Sequence, residues 1–147
     1  ANNQNDVVKF KKVINKKKTF IISKIETLNA LKNFNKIANL SNATLLDRGD
    51  LSRYIAVEKI ALIQMNLLKK SKKINKPMYV ATNLLESMVN KPYPTRAESN
   101  DIFFTLFSGS KGLVLAAETA IGKYPAECVL FIKRCIKNFE ENSFKIK

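Results

Sequence analysis

The 147-residue sequence contains no histidine and no tryptophan, and it has only two cysteines, Cys128 and Cys135. The lack of histidine excludes Ser-His-Asp and Cys-His catalysis, imidazole zinc sites and a histidine pH switch. Two cysteines cannot form a four-thiolate metal site or a disulfide framework. They lie seven residues apart in a helical pattern, so we expect them to pack as small apolar side chains in a reducing compartment.

Acidic residues are also few. The sequence has 12 Asp+Glu against 26 Lys+Arg, a formal net charge of +14. Such an excess can indicate nucleic-acid binding. However, only four of these basic residues are arginine, the side chain best suited to phosphate and base recognition, and the lysines are spread over the whole length. A solvated lysine-rich surface is therefore favoured, and specific nucleic-acid binding stays a distant alternative.

Long apolar runs are missing as well. No hydrophobic stretch approaches the roughly 20 residues of a membrane span, and the polar start at residues 1–6 is unlike an export signal. We therefore expect a cytoplasmic protein without a membrane segment. Hydrophobic residues make up 46% of the sequence, enough for one buried core, so we expect a single domain over residues 1–147.

Short β-rich runs alternate with longer helical patterns, which predicts βαβ units and a parallel sheet. The strands are expected at Thr19–Lys24, Ala43–Leu46, Met78–Thr82 and Gly112–Ala116. The helices are expected at about 5–16, 27–39, 55–73, 83–89, 96–108 and 125–140. The first helix is predicted from an apolar stripe of Val7, Val8, Phe10, Val13 and Ile14.

Functional groups follow all four predicted strands. In chain order they are Lys24 with Glu26, Arg48-Gly49-Asp50, Thr82-Asn83 and Glu118-Thr119. The carboxyl ends of parallel strands form the rim where ligands bind in α/β sheets and barrels. Neighbouring strands lie about 4.8 Å apart, so groups from adjacent strand ends can meet in one site.

These groups suit a metal and a small anion. Glu26 and Asp50 follow adjacent strands, and two carboxylates favour a hard cation such as Mg²⁺. Lys24 projects to the same side as Glu26 and can stabilise an oxyanion or a transferring phosphoryl group. Gly49 allows close backbone approach, and Thr82 adds a hydroxyl. A phosphorylated carboxylic acid would fit, although the alternative is that Lys24 and Glu26 only pair with each other or with rim neighbours.

Five sequence blocks resemble the signature blocks of the pyruvate kinase family, in the family's order and near its spacing. The blocks are ISKIE (22–26), RGDL (48–51), ATNLLESM (81–88), KPYPTRAE (91–98) and ETA with GKYP (118–120 and 122–125). The resemblance covers about residue 5 to about 140. It implies an α/β fold, a partial TIM barrel made of the last four βα units of a (β/α)8 barrel, without the lid and regulatory domains. A complete barrel usually needs about 250 residues.

The resemblance also implies a reaction and a metal. The family transfers a phosphoryl group between phosphoenolpyruvate and ADP, giving pyruvate and ATP in glycolysis. By resemblance, Lys24 stabilises the transferring phosphoryl group and the enolate. Glu26 and Asp50 match the ligands of Mg²⁺ or Mn²⁺, whereas the K⁺ site of the family lies mostly in the other half of the barrel.

The remaining site residues are also assigned by resemblance. The segment of Arg48, Gly49 and Asp50, with the Thr82 hydroxyl, matches the groups that hold the substrate carboxylate. Thr82 also counts among the catalytic residues. Glu118 matches a carboxylate near the proton-transfer network. We expect this chain alone to be inactive, and to pair with the missing half-barrel or to form a homo-oligomer.

Several residues depart from the family pattern. Asp47 replaces an alanine and places an extra carboxylate beside the anion site, and Asn83 replaces a glutamine. Ala116-Ala117 replaces Ser-Gly, so the serine implicated in proton delivery is absent. Phe103 and Phe104 stand where the family has small residues. These departures leave open an alternative: a divergent, non-catalytic member that binds a divalent metal, a small carboxylate or a protein partner.

Overall fold

The computed structural model describes residues 1–14 and 19–142. Its four strands form one parallel sheet in the order β1-β2-β3-β4: β1 (Ile22–Ile25), β2 (Ala43–Asp47), β3 (Met78–Ala81) and β4 (Gly112–Val114). The predicted α/β fold with consecutive parallel strands is therefore confirmed. The strand bounds differ slightly. β4 ends before Ala116 because the Ala116 N–H donates to the Glu118 carboxylate instead of to a strand.

Helices alternate with the strands along the chain. They are α1 (Gln4–Ile14), α2 (Leu28–Lys32), α3 (Phe34–Leu40), α4 (Arg48–Leu51), α5 (Val57–Lys73), a 3₁₀ turn (Glu86–Val89), α6 (Arg96–Phe107), α7 (Ala117–Ala120) and α8 (Pro125–Asn142). Within the described ranges, no helix has both the length and the apolar character that a bilayer crossing requires.

Two helix predictions were wrong in detail, and the end of a third cannot be compared. The helix predicted at 27–39 is broken at Asn33, which caps the end of α2 and the start of α3. The helix predicted at 83–89 is reduced to a 3₁₀ turn at Glu86–Val89, because Thr82 and Asn83 adopt positive φ angles of 70° and 53° that stop a right-handed helix from starting there. Residues 15–16 of the first predicted helix lie outside the described residues.

One face of the sheet is buried under helices. Ile25, Leu46 and Val80 are neighbours in register and are fully buried. They share a core with residues of α3 and α5, including Phe34 and Leu68. A second cluster joins α6 and α8 to the segment that follows β3. This packing fixes one face of the sheet against the helices.

On the opposite face of the sheet, which we call the open face, Ala43, Asp47 and Ala81 are buried. The more accessible residues of the open face are Ile22, Lys24, Leu45, Tyr79, Gly112 and Val114. Ile22 is 45% exposed and Val114 36%, while Leu45 and Tyr79 are half-buried. Gly112 makes room for its neighbour, since a Cβ atom there would lie 2.8 Å from the Tyr79 ring. The open face thus presents apolar side chains that the described residues do not cover.

The apolar stripe from which α1 was predicted is mostly exposed. Only Val7 is buried, whereas Phe10 is 55% exposed and Val13 81% exposed. The physical reason is position: α1 packs on α3 beside the edge strand β1, so only one side of the helix meets the rest of the chain. The stripe therefore lies next to β1, whose outer edge has no partner strand among the described residues.

The two cysteines behave as the sequence predicts. Cys128 is fully buried, and Cys135 packs against the same apolar cluster of α6 and α8. Burial raises the pKa of both thiols, which keeps them protonated near neutral pH. Both side chains therefore serve as small apolar groups.

Glu98 ties the start of α6 to the loop that follows β3. It forms a capping box with Thr95, whose hydroxyl accepts from the Glu98 N–H at 3.2 Å while the Thr95 N–H donates to the carboxylate at 2.7 Å. The same carboxylate accepts from the Ser87 N–H at 2.7 Å and from the Ser87 hydroxyl at 2.6 Å. Burial pushes the pKa of Glu98 up, but these hydrogen bonds outweigh burial and hold the pKa below its ordinary range.

We expect Glu98→Gln to lower the free energy of unfolding at pH 7 by roughly 1–3 kcal/mol, because a neutral amide replaces a charged acceptor. The pKa is lowered in the folded state, so the wild-type advantage is present above the unfolded value of about 4.3. It is lost as the pH falls through the folded value. Urea denaturation across pH 3–7 measures both effects. Glu140→Gln, at an exposed position of α8, is the control and should change stability by less than about 0.5 kcal/mol. If the difference in unfolding free energy between wild type and Glu98→Gln stayed the same at acidic pH, this account would be contradicted.

Candidate functional site

Lys24 lies at the centre of a charged cluster at the carboxyl edge of the sheet. Its Nζ atom is 2.8 Å from Glu26 Oε2, 2.9 Å from Asp47 Oδ2 and 3.6 Å from Asp50 Oδ2. The hydrogen bond to Glu26, followed by that to Asp47, raises the pKa of Lys24 well above its ordinary range. Lys24 is therefore a permanent positive charge. The structure thus brings Lys24, Glu26 and Asp50 together, and it also shows the Lys24–Glu26 pair that the alternative interpretation predicts.

Three carboxylates surround this lysine. One oxygen from each of Glu26, Asp47 and Asp50 lies within 4.8 Å of the other two. Carboxylate oxygens at this spacing fit a hard divalent cation. Sequence reasoning did not include Asp47 in the site. Strand alternation could have found it, because Asp47 lies two residues after Leu45, the register partner of Lys24, and so shares its face.

Asp47 is the most enclosed of the three carboxylates, at 7% exposure for the residue. Its side chain caps α4 by accepting the Asp50 N–H at 3.2 Å, and it lies 3.2 Å from the Thr82 hydroxyl. Burial raises the pKa of Asp47, but the hydrogen bonds from Lys24 and the Asp50 amide outweigh burial and lower the pKa overall. Asp47 is therefore a fixed negative charge between β2 and β3.

Gly49 and Thr82 are in direct contact across two strand ends. The Gly49 N–H donates to Thr82 Oγ1 at 2.7 Å. A Cβ atom on Gly49 would lie 3.3 Å from both Thr82 Oγ1 and Asn83 Oδ1, so a larger residue would press these groups apart. The predicted substrate-binding pair is thus adjacent, with its amide and hydroxyl bonded to each other.

Arg48 holds the strained turn that carries Thr82. Thr82 is β-branched yet has a φ of 70°, a conformation that such residues rarely adopt. The Arg48 guanidinium donates to the Thr82 carbonyl at 2.6 Å and 3.1 Å and to the Asn83 carbonyl at 3.0 Å. It also pairs with Asp101 at 2.6 Å. This placement does not favour the substrate contact predicted for Arg48, because its donors are bonded to protein groups.

Glu118 joins the loops after β3 and β4. It is 1% exposed, and its two oxygens accept from the Leu85 N–H at 3.2 Å and the Ala116 N–H at 3.0 Å. The carboxylate thereby fixes these two loops relative to each other.

A cavity of about 340 Å³ opens between these strand ends. Asp47, Gly49, Asp50, Thr82 and Glu118 line it, and Lys24 and Glu26 stand beside Asp47 and Asp50. Its size suits a small molecule. If the carboxylates held a metal ion, that ion would act with the protonated lysine and the backbone amides to favour a small oxygen-rich anion.

Comparison with known proteins identifies relatives of this chain. Residues 1–129 match the family model described as pyruvate kinase, barrel domain. The pyruvate kinase of Thermotoga maritima is 42% identical over 138 residues, which cover 92% of this chain and 30% of that protein. The pyruvate kinase of Methanocaldococcus jannaschii is 38% identical over 142 residues, covering 95% of this chain and 32% of that protein. The chain thus spans about a third of the length of these relatives.

We expect Arg48→Lys to lower the free energy of unfolding by roughly 2–4 kcal/mol, because lysine cannot bond two carbonyls and Asp101 at once. Urea denaturation at pH 7 gives the value. Arg53→Lys is the matched control: the Arg53 side chain is 76% exposed and, among the described residues, forms one ion pair, at 3.4 Å to Asp50, so the loss of stability should stay below about 0.5 kcal/mol. Equal effects of the two substitutions would show that Arg48 does not support the Thr82 turn.

Proposed function

Because the chain belongs to the pyruvate kinase family, we propose that it supplies the carboxyl-terminal half of a barrel that transfers a phosphoryl group between phosphoenolpyruvate and ADP, giving pyruvate and ATP. The observation that carries this proposal is the meeting of Lys24, Glu26 and Asp50 at one edge of the sheet. These groups lie beside a cavity sized for a small molecule.

The carboxylates would hold the metal, and Lys24 would supply a separate charge. The oxygens of Glu26 and Asp50 fit Mg²⁺ or Mn²⁺ by number and chemistry. When bound, such an ion polarises phosphoryl and enolate oxygens. Lys24 stays protonated and places its ammonium where negative charge develops during transfer. Its four-carbon stem lets it approach as a point charge without a fixed fork geometry.

The substrate carboxylate would lie against α4. The backbone amides of Gly49 and Asp50, with the Thr82 hydroxyl, are the proposed donors. With Ala116-Ala117 in place of the family's Ser-Gly, Thr82 is the hydroxyl that lines the cavity at the end of β3. Glu118 keeps the cavity wall in place through its backbone contacts and is proposed as a positioning carboxylate. Arg48 is likewise proposed as a positioning residue, because it holds the Thr82 turn.

The open face supports pairing with a second half-barrel. Its exposed Ile22 and Val114 belong to β1 and β4, the two outer strands of the described sheet. An uncovered apolar face with two free strand edges favours closure by further strands. The relatives are about three times longer than this chain, which favours the other four βα units over a second copy. The free cysteines and the glycolytic reaction suit the cytoplasm.

A non-catalytic member is the second candidate. It is favoured by the carboxylates that surround Lys24 and by Ala116-Ala117, where the family has Ser-Gly. Such a protein would keep metal binding and lose turnover. A coupled assay of pyruvate formation by the full-length gene product, together with Mg²⁺ titration, separates the two candidates. Turnover would support the proposed enzyme function, whereas metal binding without turnover would overturn that proposal and favour the non-catalytic candidate.

We expect Lys24→Met to reduce turnover of the full-length gene product to background, a loss of roughly 10²–10³-fold or more, because the charge that stabilises the transferring group is gone. Mg²⁺ affinity should be unchanged or higher, since a cation is removed from the carboxylate cluster. The coupled assay and calorimetric titration give both values. Lys59→Met, an exposed change in α5, is the control. Retained turnover in Lys24→Met would refute the role of Lys24.

A further inference from the structure

We propose that Asp47 is an internal anion that occupies the strand-end site and competes there with anionic ligands. This role deepens the proposed function and rests on it. The starting observation is that Asp47 is buried and in contact with the groups assigned to the substrate.

The contacts of Asp47 match those that a bound carboxylate would make. Oδ2 lies 2.9 Å from Lys24 Nζ. Oδ1 accepts the Asp50 N–H at 3.2 Å and lies 3.2 Å from Thr82 Oγ1. The Gly49 N–H is also used, because it donates to the same Thr82 hydroxyl. An incoming carboxylate or phosphate therefore finds its donors already bonded within the chain.

The competition favours Asp47 for two physical reasons. Its side chain caps α4 and is held in place by the fold, so it makes these contacts without the entropy cost of association. An external anion would also enter beside Glu26, Asp47 and Asp50, and Lys24 offsets only one of these three negative charges. Arg53 adds only an exposed contact at 3.4 Å to Asp50.

The same charges favour a cation. A third carboxylate within 4.8 Å of Glu26 and Asp50 increases the attraction for a divalent ion while it repels an anion. Asp47 therefore shifts the preference of the site from anions towards cations. It follows that anions bind well only after a divalent cation has entered, so the cation binds first.

The test compares wild type with Asp47→Asn and Asp47→Ala. Asparagine is a good helix cap, so Asp47→Asn removes the charge and keeps the cap of α4 even if Asp47→Ala fails to fold. Inorganic phosphate without metal is the anion probe, followed by NMR through the backbone amides of Gly49 and Asp50. Mg²⁺ alone is the cation probe. Glu140→Gln changes the net charge equally at an exposed position of α8 and is the control.

For Asp47→Asn we expect at least a tenfold lower Kd for phosphate at these amides and at least a threefold higher Kd for Mg²⁺. The two Kd values are expected to change in opposite directions. A defect that only disturbed the structure would weaken the binding of both ligands. Unchanged phosphate affinity, or a parallel loss of both affinities, overturns the role of Asp47. Titration with phosphoenolpyruvate and Mg²⁺ tests the proposed function separately. If no variant prefers phosphoenolpyruvate to inorganic phosphate when Mg²⁺ is present, the proposed function fails while the phosphate result still decides the role of Asp47.

Discussion

Parallel pairing of four consecutive strands is the constraint on which the site depends. Because all four strands run in one direction, their carboxyl ends meet at one edge of the sheet. Lys24, Asp47 and Thr82 come from three different strand ends, and they reach one another only because the register places Lys24 beside Leu45 and Asp47 beside Ala81. A shift of one residue would turn each side chain to the opposite face.

The loops around that edge are held by buried polar groups. Arg48 secures the positive-φ turn at Thr82, and Glu118 joins the segments after β3 and β4. Glu98 connects the start of α6 to Ser87. Three of the sequence blocks shared with the family thus contain residues that shape the site without lining the metal cluster. By resemblance, Arg48 and Glu118 were assigned to substrate binding and catalysis, and in the structure both are bonded to backbone groups around the site.

The sequence predicted the four strands, their parallel arrangement and most helices, because hydrophobic runs of different period mark each element. It could not predict the break at Asn33, the irregular segment after β3 or the exposure of α1, since these depend on tertiary neighbours. For the site, the two-residue spacing of Lys24 and Glu26 predicted that their side chains lie on the same side of the strand. The ion pair between Arg48 and Asp101 was not predictable, because Asp101 lies on a helix far along the chain. Strand alternation could have indicated that Asp47 shares a face with Lys24, but this inference was not made, and the burial of Asp47 required the structure.

In the function proposed here, this chain would carry half of a phosphoryl-transfer site and would need the other half of a barrel to act. The most direct test measures pyruvate formation from phosphoenolpyruvate and ADP with Mg²⁺. It compares the 147-residue chain alone with a fusion to the first four βα units of the Thermotoga maritima relative's barrel. We predict background rates for the chain alone, turnover for the fusion, and loss of that turnover when the fusion carries Lys24→Met. Turnover by the chain alone at the rate of the fusion would contradict the account.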